Sequence, residues 1–175
     1  GIYMGVNAVA LTTGGTGDNY DNNIISNNEI QKAYFGIWIG GTTNTADNNT
    51  IIGNLIGSNT VGQTITYIGI NLTGVATNTI TQNEIFNLKL NTSVNNAGIQ
   101  IAGTGAANTI SRNKIWGIHS LSTSGYGAYG INLTGGNNHL VVNNAIYDIK
   151  TINYSSTTTT WNAFGIRITS GTGIR

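Results

Sequence analysis

Apolar and polar residues alternate in short stretches along the chain, and turns rich in Gly, Asn and Thr separate these stretches. In residues 98–118, GIQIAGTGAANTISRNKIWGI, Ile99 and Ile101 alternate with polar neighbours, and Ile110 and Ile115 follow a Gly-rich corner. A period of two predicts short β-strands, and the period of an amphipathic helix does not fit. The pattern therefore predicts an all-β fold.

The same frame recurs along the chain. Copies begin at residues 1, 36, 69, 98, 130 and 165, so that each interval of 29 to 35 residues holds one unit. The second half of the unit reads Asn-x-apolar-x-x-Asn-x-Ile, and its copies lie at 23–30, 49–56, 78–85, 108–115 and, with His139 in the first place, 139–146. Repetition at this period is the signature of a solenoid.

Units of this size bury their apolar faces only by stacking on their neighbours. We therefore predict a single-stranded parallel β-helix of about five coils, with three short strands per coil, as one segment over residues 1–175. Like side chains should form files along it at the ~4.8 Å strand spacing. On the first strand of each coil, alternation predicts these inward side chains: Phe35, Ile37, Ile39, Ile68, Ile70, Leu72, Ala97, Ile99, Ile101, Tyr129, Ile131, Leu133, Phe164, Ile166 and Ile168.

One asparagine recurs at the corner between the second and third strands of each unit. Asn tolerates the left-handed backbone that a tight corner needs, and stacked amides can donate to one coil and accept from another. We interpret this recurrence as a structural ladder, since a binding site would not need one amide in every coil. Its members are Asn28, Asn54, Asn83, Asn113 and Asn144.

The chain is poor in charge. Charged residues make up 7% of the sequence, against about 25% in an average soluble domain, and the formal net charge is +1. Without a basic cluster the sequence favours neither nucleic acid nor an anionic membrane as a partner. It also lacks Cys and any apolar run long enough to span a bilayer, so no disulfide and no membrane insertion are expected.

The sequence starts and stops within copies of the unit, and no polar capping repeat is visible. A solenoid needs caps over its open ends. We therefore expect an internal fragment of a longer repeat protein, with neighbouring repeats of the same chain as partners.

A Gly-, Thr- and Asp-rich turn precedes the first Asn-x-apolar motif. Asp18 and Asp21 lie three residues apart within it, beside several Asn, and could offer oxygen ligands to Ca²⁺. Their spacing matches neither a helix–loop–helix calcium loop nor a calcium-binding nonapeptide. A solvated turn without a cofactor is the preferred interpretation, and Ca²⁺ is the alternative.

Aromatic residues occupy outward positions in two places. Trp38 lies between Gly36 and Gly40, with Tyr3 at the equivalent place one coil earlier. An exposed ring between two glycines would be a flat platform for a sugar. The alternative is a loop that folds back over the ring.

Phe86, Trp116 and Tyr147 share one register in three successive coils, so they should form an outward column. Glu84 and Lys114 share a register in adjacent coils and are predicted to pair. The column is either a binding strip or, as we prefer, the seat of the excursions predicted at 87–96, 117–128 and 148–163.

The Gly-Ile-x-Ile…Asn-Thr-Ile-x-x-Asn-x-Ile unit resembles the right-handed parallel β-helix repeat of the pectin-lyase-like superfamily over nearly the whole chain. Its Asn- and Thr-rich, charge-poor form is similar to large secreted repeat proteins of Bacteroidota. The resemblance implies a right-handed coil, an extracellular or bacterial cell-surface location, and a polysaccharide or cell-surface glycan as the partner.

Enzymes of that superfamily are expected to cluster carboxylates on the outer face of one strand. Neither His119 nor His139 lies beside an acid in its own coil, and the acidic residues form no such signature. We therefore expect no catalytic residue here, and a non-catalytic module that acts as a spacer or a carbohydrate-binding adhesin. The alternative is a segment of a polysaccharide lyase or glycoside hydrolase whose catalytic residues lie in other coils. The acidic residues are Asp18, Asp21, Glu29, Asp47, Glu84 and Asp148.

Overall fold

The computed structural model describes residues 2–4, 21–41, 46–152, 157–158 and 161–175. These residues form short strands joined by turns. The strands are β1 (Ile2–Met4), β2 (Ile24–Ser26), β3 (Glu29–Ile30), β4 (Phe35–Gly40), β5 (Thr50–Ile52), β6 (Leu55–Gly57), β7 (Ile68–Thr73), β8 (Thr79–Thr81), β9 (Glu84–Phe86), β10 (Lys89–Leu90), β11 (Asn96–Ala102), β12 (Thr109–Ser111), β13 (Lys114–Ser120), β14 (Ala128–Leu133), β15 (Leu140–Val142), β16 (Ala145–Thr151) and β17 (Ala163–Ile168).

The strands form three parallel sheets, and the chain visits each sheet once per coil. Sheet A has the order β1-β4-β7-β11-β14-β17, and sheet B the order β15-β12-β8-β5-β2. Sheet C contains β3, β6, β9, β13 and β16, with β10 beside β13. Each strand pairs with its equivalent in the next coil, so the predicted parallel β-helix with three strands per coil is confirmed.

Equal positions of successive coils lie in register, which makes the core a set of aliphatic files. Ile37, Ile70 and Ile99 pair through sheet A, and Ile51 and Ile80 pair through sheet B. All five are fully buried. Burial of each such side chain contributes about 1.5–3 kcal/mol, so the files are the main source of stability.

The first predicted inward position of sheet A is wrong. Ile68, Ala97 and Tyr129 form a cluster separate from the main core, with Phe35 and Phe164 packed against it. This file precedes the recurrent glycine, where the alternation of sides is broken. A Cβ at the glycine would point into the core, which turns the preceding side chain to the outside.

Gly98 shows why this position is glycine. A Cβ built there would lie 2.5 Å from Ile115 Cγ2 and 2.8 Å from the carbonyl oxygen of Gly130 in the next coil. Gly36, Gly69 and Gly130 meet the same two kinds of neighbour. The absent side chain therefore lets sheets A and C approach at this corner.

The asparagine ladder is present and connects the coils through hydrogen bonds. The Asn54 backbone N–H and Nδ2 donate to Asn83 Oδ1 at 3.0 and 2.9 Å, and the same groups of Asn83 donate to Asn113 Oδ1 at 3.0 and 3.0 Å. Asn83 Nδ2 also donates to the carbonyl of Ile51 at 2.9 Å. The ladder extends in both directions, since Asn28 Nδ2 donates to Asn54 Oδ1 at 2.9 Å and Asn113 Nδ2 donates to Asn144 Oδ1 at 3.0 Å.

The predicted reason for asparagine at this corner is wrong. The left-handed residue is the one before each ladder asparagine, with φ of 65° at Gly53, 57° at Gln82 and 55° at Arg112. The ladder residue itself is selected by its amide, which must donate and accept inside the corner.

A second ladder occupies the other corner of sheet B. Asn78 Nδ2 donates to Asn108 Oδ1 at 3.1 Å, and the Asn108 backbone N–H lies 3.2 Å from His139 Nδ1. His139 Nε2 is 3.0 Å from the carbonyl of Gly135, which assigns the ring proton to Nε2 and the acceptor role to Nδ1. His139 is fully buried and takes the place that Asn78 and Asn108 hold in the preceding coils.

We expect Asn83→Ala to destabilise the protein markedly, because it removes the acceptor for two donors of Asn54. Each buried polar group left without a partner costs about 1–3 kcal/mol. Urea unfolding followed by circular dichroism measures the loss. Asn91→Ala is the matched control, since Asn91 is exposed, and equal stability of the two variants would contradict the ladder's role.

Gly98→Ala should destabilise the protein by more than 1 kcal/mol, roughly the lower end of the cost of overpacking, since its Cβ meets a backbone carbonyl. Gly165 has the same register, but a Cβ there meets only Ile146 Cγ2 at 3.8 Å. Gly165→Ala should therefore be tolerated. Thermal unfolding of both variants tests this, and similar melting temperatures would refute the close approach.

Candidate functional site

Sheet A carries one outward row that crosses the coils. Tyr3 pairs with Trp38 through the backbone, and the row continues through Asn71, Gln100, Asn132 and Arg167. Trp38 is 8% exposed, and its ring centroid lies 5.0 Å from that of Phe35. The indole therefore does not offer an open platform.

The polar members of the row are linked by side-chain hydrogen bonds. Gln100 Nε2 donates to Asn71 Oδ1 at 3.1 Å, Asn132 Nδ2 donates to Gln100 Oε1 at 3.0 Å, and Arg167 Nη1 donates to Asn132 Oδ1 at 3.2 Å. Asn71 and Asn132 are buried. These bonds fix the amides before any ligand arrives. We call Asn71, Gln100, Asn132 and Arg167 the amide row.

A groove of about 370 Å³ opens over the amide row. Gln100, Asn132 and Arg167 line its floor, and Tyr67 and Tyr126 line its wall together with Asn95, Val94 and Thr134. Thr134 follows β14, whereas the other wall residues come from segments that lead into sheet A. The wall is held across coils, because Asn95 Oδ1 accepts the backbone N–H of Gly127 at 2.7 Å. The groove thus combines fixed amides, a guanidinium and two phenols.

Tyr67 belongs to an aromatic cluster beside the groove. Its ring centroid lies 4.8 Å from that of Tyr34 and 5.1 Å from that of Phe35. Burial, and then the nearby Tyr34, raise the pKa of the Tyr67 phenol. The hydroxyl therefore stays protonated, as a hydrogen-bond donor, throughout the neutral range.

Arg167 lies over the buried ring of Tyr129, with its guanidinium carbon 4.9 Å from the ring centroid. Burial raises the pKa of Tyr129, and the charge of Arg167 partly opposes that rise. Stacking on the ring and bonding to Asn132 together hold the guanidinium at one end of the groove.

Tyr67 and Tyr126, which form the groove wall, are not among the site residues that the sequence predicts. Tyr67 lies directly before the inward-outward alternation of β7, and Tyr126 lies in a segment of another coil. In the later coils polar residues recur after the Gly-Ile pairs that begin at residues 69, 98, 130 and 165, and this recurrence in the sequence marks the amide row. The wall gave no signal, because its residues come from turns of unequal length.

The predicted column on sheet C exists as a stack of rings. Phe86 and Trp116 have centroids 4.8 Å apart and an interplanar angle of 12°, and Trp116 and Tyr147 are 5.8 Å apart at 10°. Ring faces therefore contact one another. Phe86 is buried, whereas Tyr147 is 48% exposed. As a sugar platform, the column offers mainly ring edges.

The excursions predicted after this column begin as strand instead. Residues 117–120 continue β13, residues 148–151 continue β16, and Lys89–Leu90 form β10. A left-handed residue follows each ring, with φ of 52° at Asn87, 66° at Gly117 and 53° at Asp148. This kink lets the chain resume pairing beside the column.

Charged side chains flank the ring stack. The predicted pair of Lys114 and Glu84 is present at 3.0 Å, which raises the pKa of Lys114, and the ammonium lies 4.2 Å from the centroid of Trp116. A second group was missed: His119 Nε2 lies 3.1 Å from Asp148 Oδ2. The two residues belong to different coils, so comparing neighbours within one coil could not find them.

Lys150 completes this second group, with its Nζ 2.5 Å from Asp148 Oδ1. The hydrogen bond from Lys150, supported by His119, lowers the pKa of the Asp148 carboxyl. Both partners of each ion pair are partly exposed, so solvent screens the pairs and they add little to stability.

Of the two candidate calcium ligands, Asp18 lies outside the described residues. Asp21 Oδ1 accepts the backbone N–H of Asp47 at 2.6 Å, and Asp47 Oδ1 accepts the N–H of Ala76 at 2.8 Å. These carboxylates connect coils at a turn. Across residues 2–4, 21–41, 46–152, 157–158 and 161–175, no three His, Cys, Asp or Glu side chains gather in a metal-binding group.

Within that same part of the chain, no helix has the length and apolar character to cross a membrane. No protein-family model matches the sequence, and neither a curated protein nor a solved structure matches it.

We expect ionisation of the buried Tyr129 to lower the stability of the fold as the pH rises into the alkaline range. Because its folded-state pKa is raised, its contribution is complete below the unfolded-state pKa of about 10. The contribution is lost as the pH rises through the folded-state value. Melting temperatures measured from about pH 8 upward should fall less steeply for Tyr129→Phe than for the wild type.

The Tyr147→Phe variant, which removes a phenol hydroxyl from a ring that is 48% exposed on sheet C, is the matched control. Parallel curves for the wild type and Tyr129→Phe would show that the buried phenol does not ionise before unfolding.

Proposed function

We propose that this chain is a non-catalytic carbohydrate-binding module, and that the groove over the amide row binds the glycan. The observation that carries the proposal is the row of pre-bonded amides beside Tyr67 and Tyr126. Sugars present hydroxyl groups that both donate and accept, together with apolar C–H faces. Amides match the former and tyrosine rings match the latter.

The repeat of the row suits an extended polymer. Its members are spaced by the strand separation of about 4.8 Å, so hydroxyls of successive sugars can meet successive amides. Since the amides are already ordered by their mutual hydrogen bonds, binding costs little side-chain entropy.

The lining of the groove favours binding over hydrolysis. The residues that form it carry amides, hydroxyls, phenols and one guanidinium, and none of those described is a carboxylate. Hydrolysis of a glycosidic bond ordinarily uses a pair of carboxyl groups. A segment of a lyase or hydrolase with its catalytic residues in other coils is the alternative.

Composition and fold also support a location and partners for the module. A solenoid with few charges and many Asn, Thr and Ser side chains fits a secreted or bacterial cell-surface repeat protein of the pectin-lyase-like kind, similar to those of Bacteroidota, with further repeats as neighbours. The two ladders make the same chain a stiff spacer, and the groove adds adhesion to that role.

A polysaccharide array and affinity electrophoresis test this proposal. We expect the wild type to bind at least one plant or bacterial cell-wall polysaccharide. Tyr67→Ala or Tyr126→Ala should reduce the affinity about tenfold or more, which is the scale measured when one aromatic ring that stacks on a nucleic-acid base is removed. Gln100→Ala should weaken binding to a smaller degree.

Tyr147→Ala is the matched control because it removes an exposed tyrosine from sheet C, away from the groove. Loss of binding on Tyr147→Ala with retention on Tyr67→Ala would move the site to the ring stack. Reducing ends or unsaturated uronates released from a polysaccharide would refute the non-catalytic role and favour the enzymatic alternative.

A further inference from the structure

We infer that the groove selects a glycan that carries isolated acidic groups, one of which is bound by Arg167, in preference to both neutral glycans and uniformly charged ones. This inference rests on the proposed function and goes beyond it by naming the charge pattern of the ligand. It follows from the distribution of charge along the amide row.

Arg167 brings a single positive charge to the groove. The chain has seven Lys and Arg residues, all at described positions, and Arg167 is the one that lines this groove. Lys114 and Lys150 lie on sheet C, where each is paired with an acid. A negatively charged ligand in the groove therefore meets one fixed cation.

The guanidinium is held ready for an anion. It stacks on Tyr129 and donates one bond to Asn132, at 3.2 Å. Arginine has five N–H donors in a planar fork, which matches a carboxylate or sulfate through two parallel bonds. The donors not directed to Asn132 can serve a ligand while the stacking holds the plane in place.

The remainder of the row is neutral. From Arg167 the floor continues through the amides of Asn132 and Gln100, and the row ends beyond the groove lining at the amide of Asn71, at steps of about 4.8 Å. A polymer with a charge on every sugar would place further carboxylates against these amides without a counter-charge. A neutral polymer would cover the guanidinium without neutralising it. Burying an uncompensated charge is unfavourable in both cases.

The hydrogen bonds of the row add a direction to this selection. In each bond the donor belongs to the later coil and the acceptor to the coil nearer the N-terminus. The series begins at Arg167 Nη1 and ends at Asn71 Oδ1. Chains of this kind polarise one another. The acidic sugar should therefore lie at the β17 end of the groove and the neutral sugars towards β7.

Three polymers test the inference: glucuronoxylan, whose acidic groups are sparse, the same polymer after reduction of its carboxyl groups, which changes charge alone, and polygalacturonate, which is charged on every sugar. The wild type should bind glucuronoxylan at least about tenfold more tightly than the reduced polymer, the scale of one charge-assisted hydrogen bond. Polygalacturonate should bind more weakly than glucuronoxylan, and added salt should remove the preference.

Arg167→Gln should abolish the preference for glucuronoxylan over its reduced form, while binding of the reduced form is kept. Arg167→Lys, which keeps the charge and loses the planar fork, should retain part of the preference. Lys150→Gln is the matched control with an equal change in net charge and should behave as the wild type. Circular dichroism of each variant verifies the fold.

Equal binding of glucuronoxylan and its reduced form, unchanged by Arg167→Gln, would overturn the inference while the carbohydrate-binding function stands. Tightest binding to polygalacturonate would also overturn it. Absence of binding to these polymers and to every member of the wider array would overturn the proposed function and this inference together.

Discussion

Hydrogen bonding between equivalent residues of successive coils is the constraint on which this structure depends. The amide of Asn83 shows it in full. Its oxygen accepts two bonds from Asn54 in one neighbouring coil, and its backbone N–H and Nδ2 donate to Asn113 in the other. Its Nδ2 also donates to the carbonyl of Ile51 in the first of these coils. Such a group is satisfied only when the coils are in register. Register in turn brings the isoleucine files together, so polar corners and apolar core specify the same stacking.

The same constraint produces the groove. An outward position on sheet A is repeated at one place per coil, so polar residues there become neighbours whether or not a ligand requires them. Asn71, Gln100 and Asn132 bond to one another, and Gln100 and Asn132 also line the groove. The site is therefore a local variation of the ladder that organises the corners, with a tyrosine wall added by the turns.

The sequence was sufficient for the fold because the repeat fixes which residues are equivalent, and equivalence fixes the parallel pairing. The sequence pattern placed Phe35 and its equivalents on the wrong side of the strand. The inward-outward alternation breaks at the following glycine, and glycine has no side chain whose polarity would indicate that break. The groove floor could be read as a polar column. Tyr67, Tyr126 and the His119–Asp148 contact could not, because each depends on how segments of different coils meet in space.

The amide row lies along the axis of the solenoid, whereas the strands run across it. A polymer seated on the row would contact several coils at once and would add a longitudinal tie to a molecule whose coils otherwise contact only their immediate neighbours. Pulling the coils apart would then require peeling the polymer from the groove as well. An adhesive spacer built in this way would resist extension most strongly while it is attached.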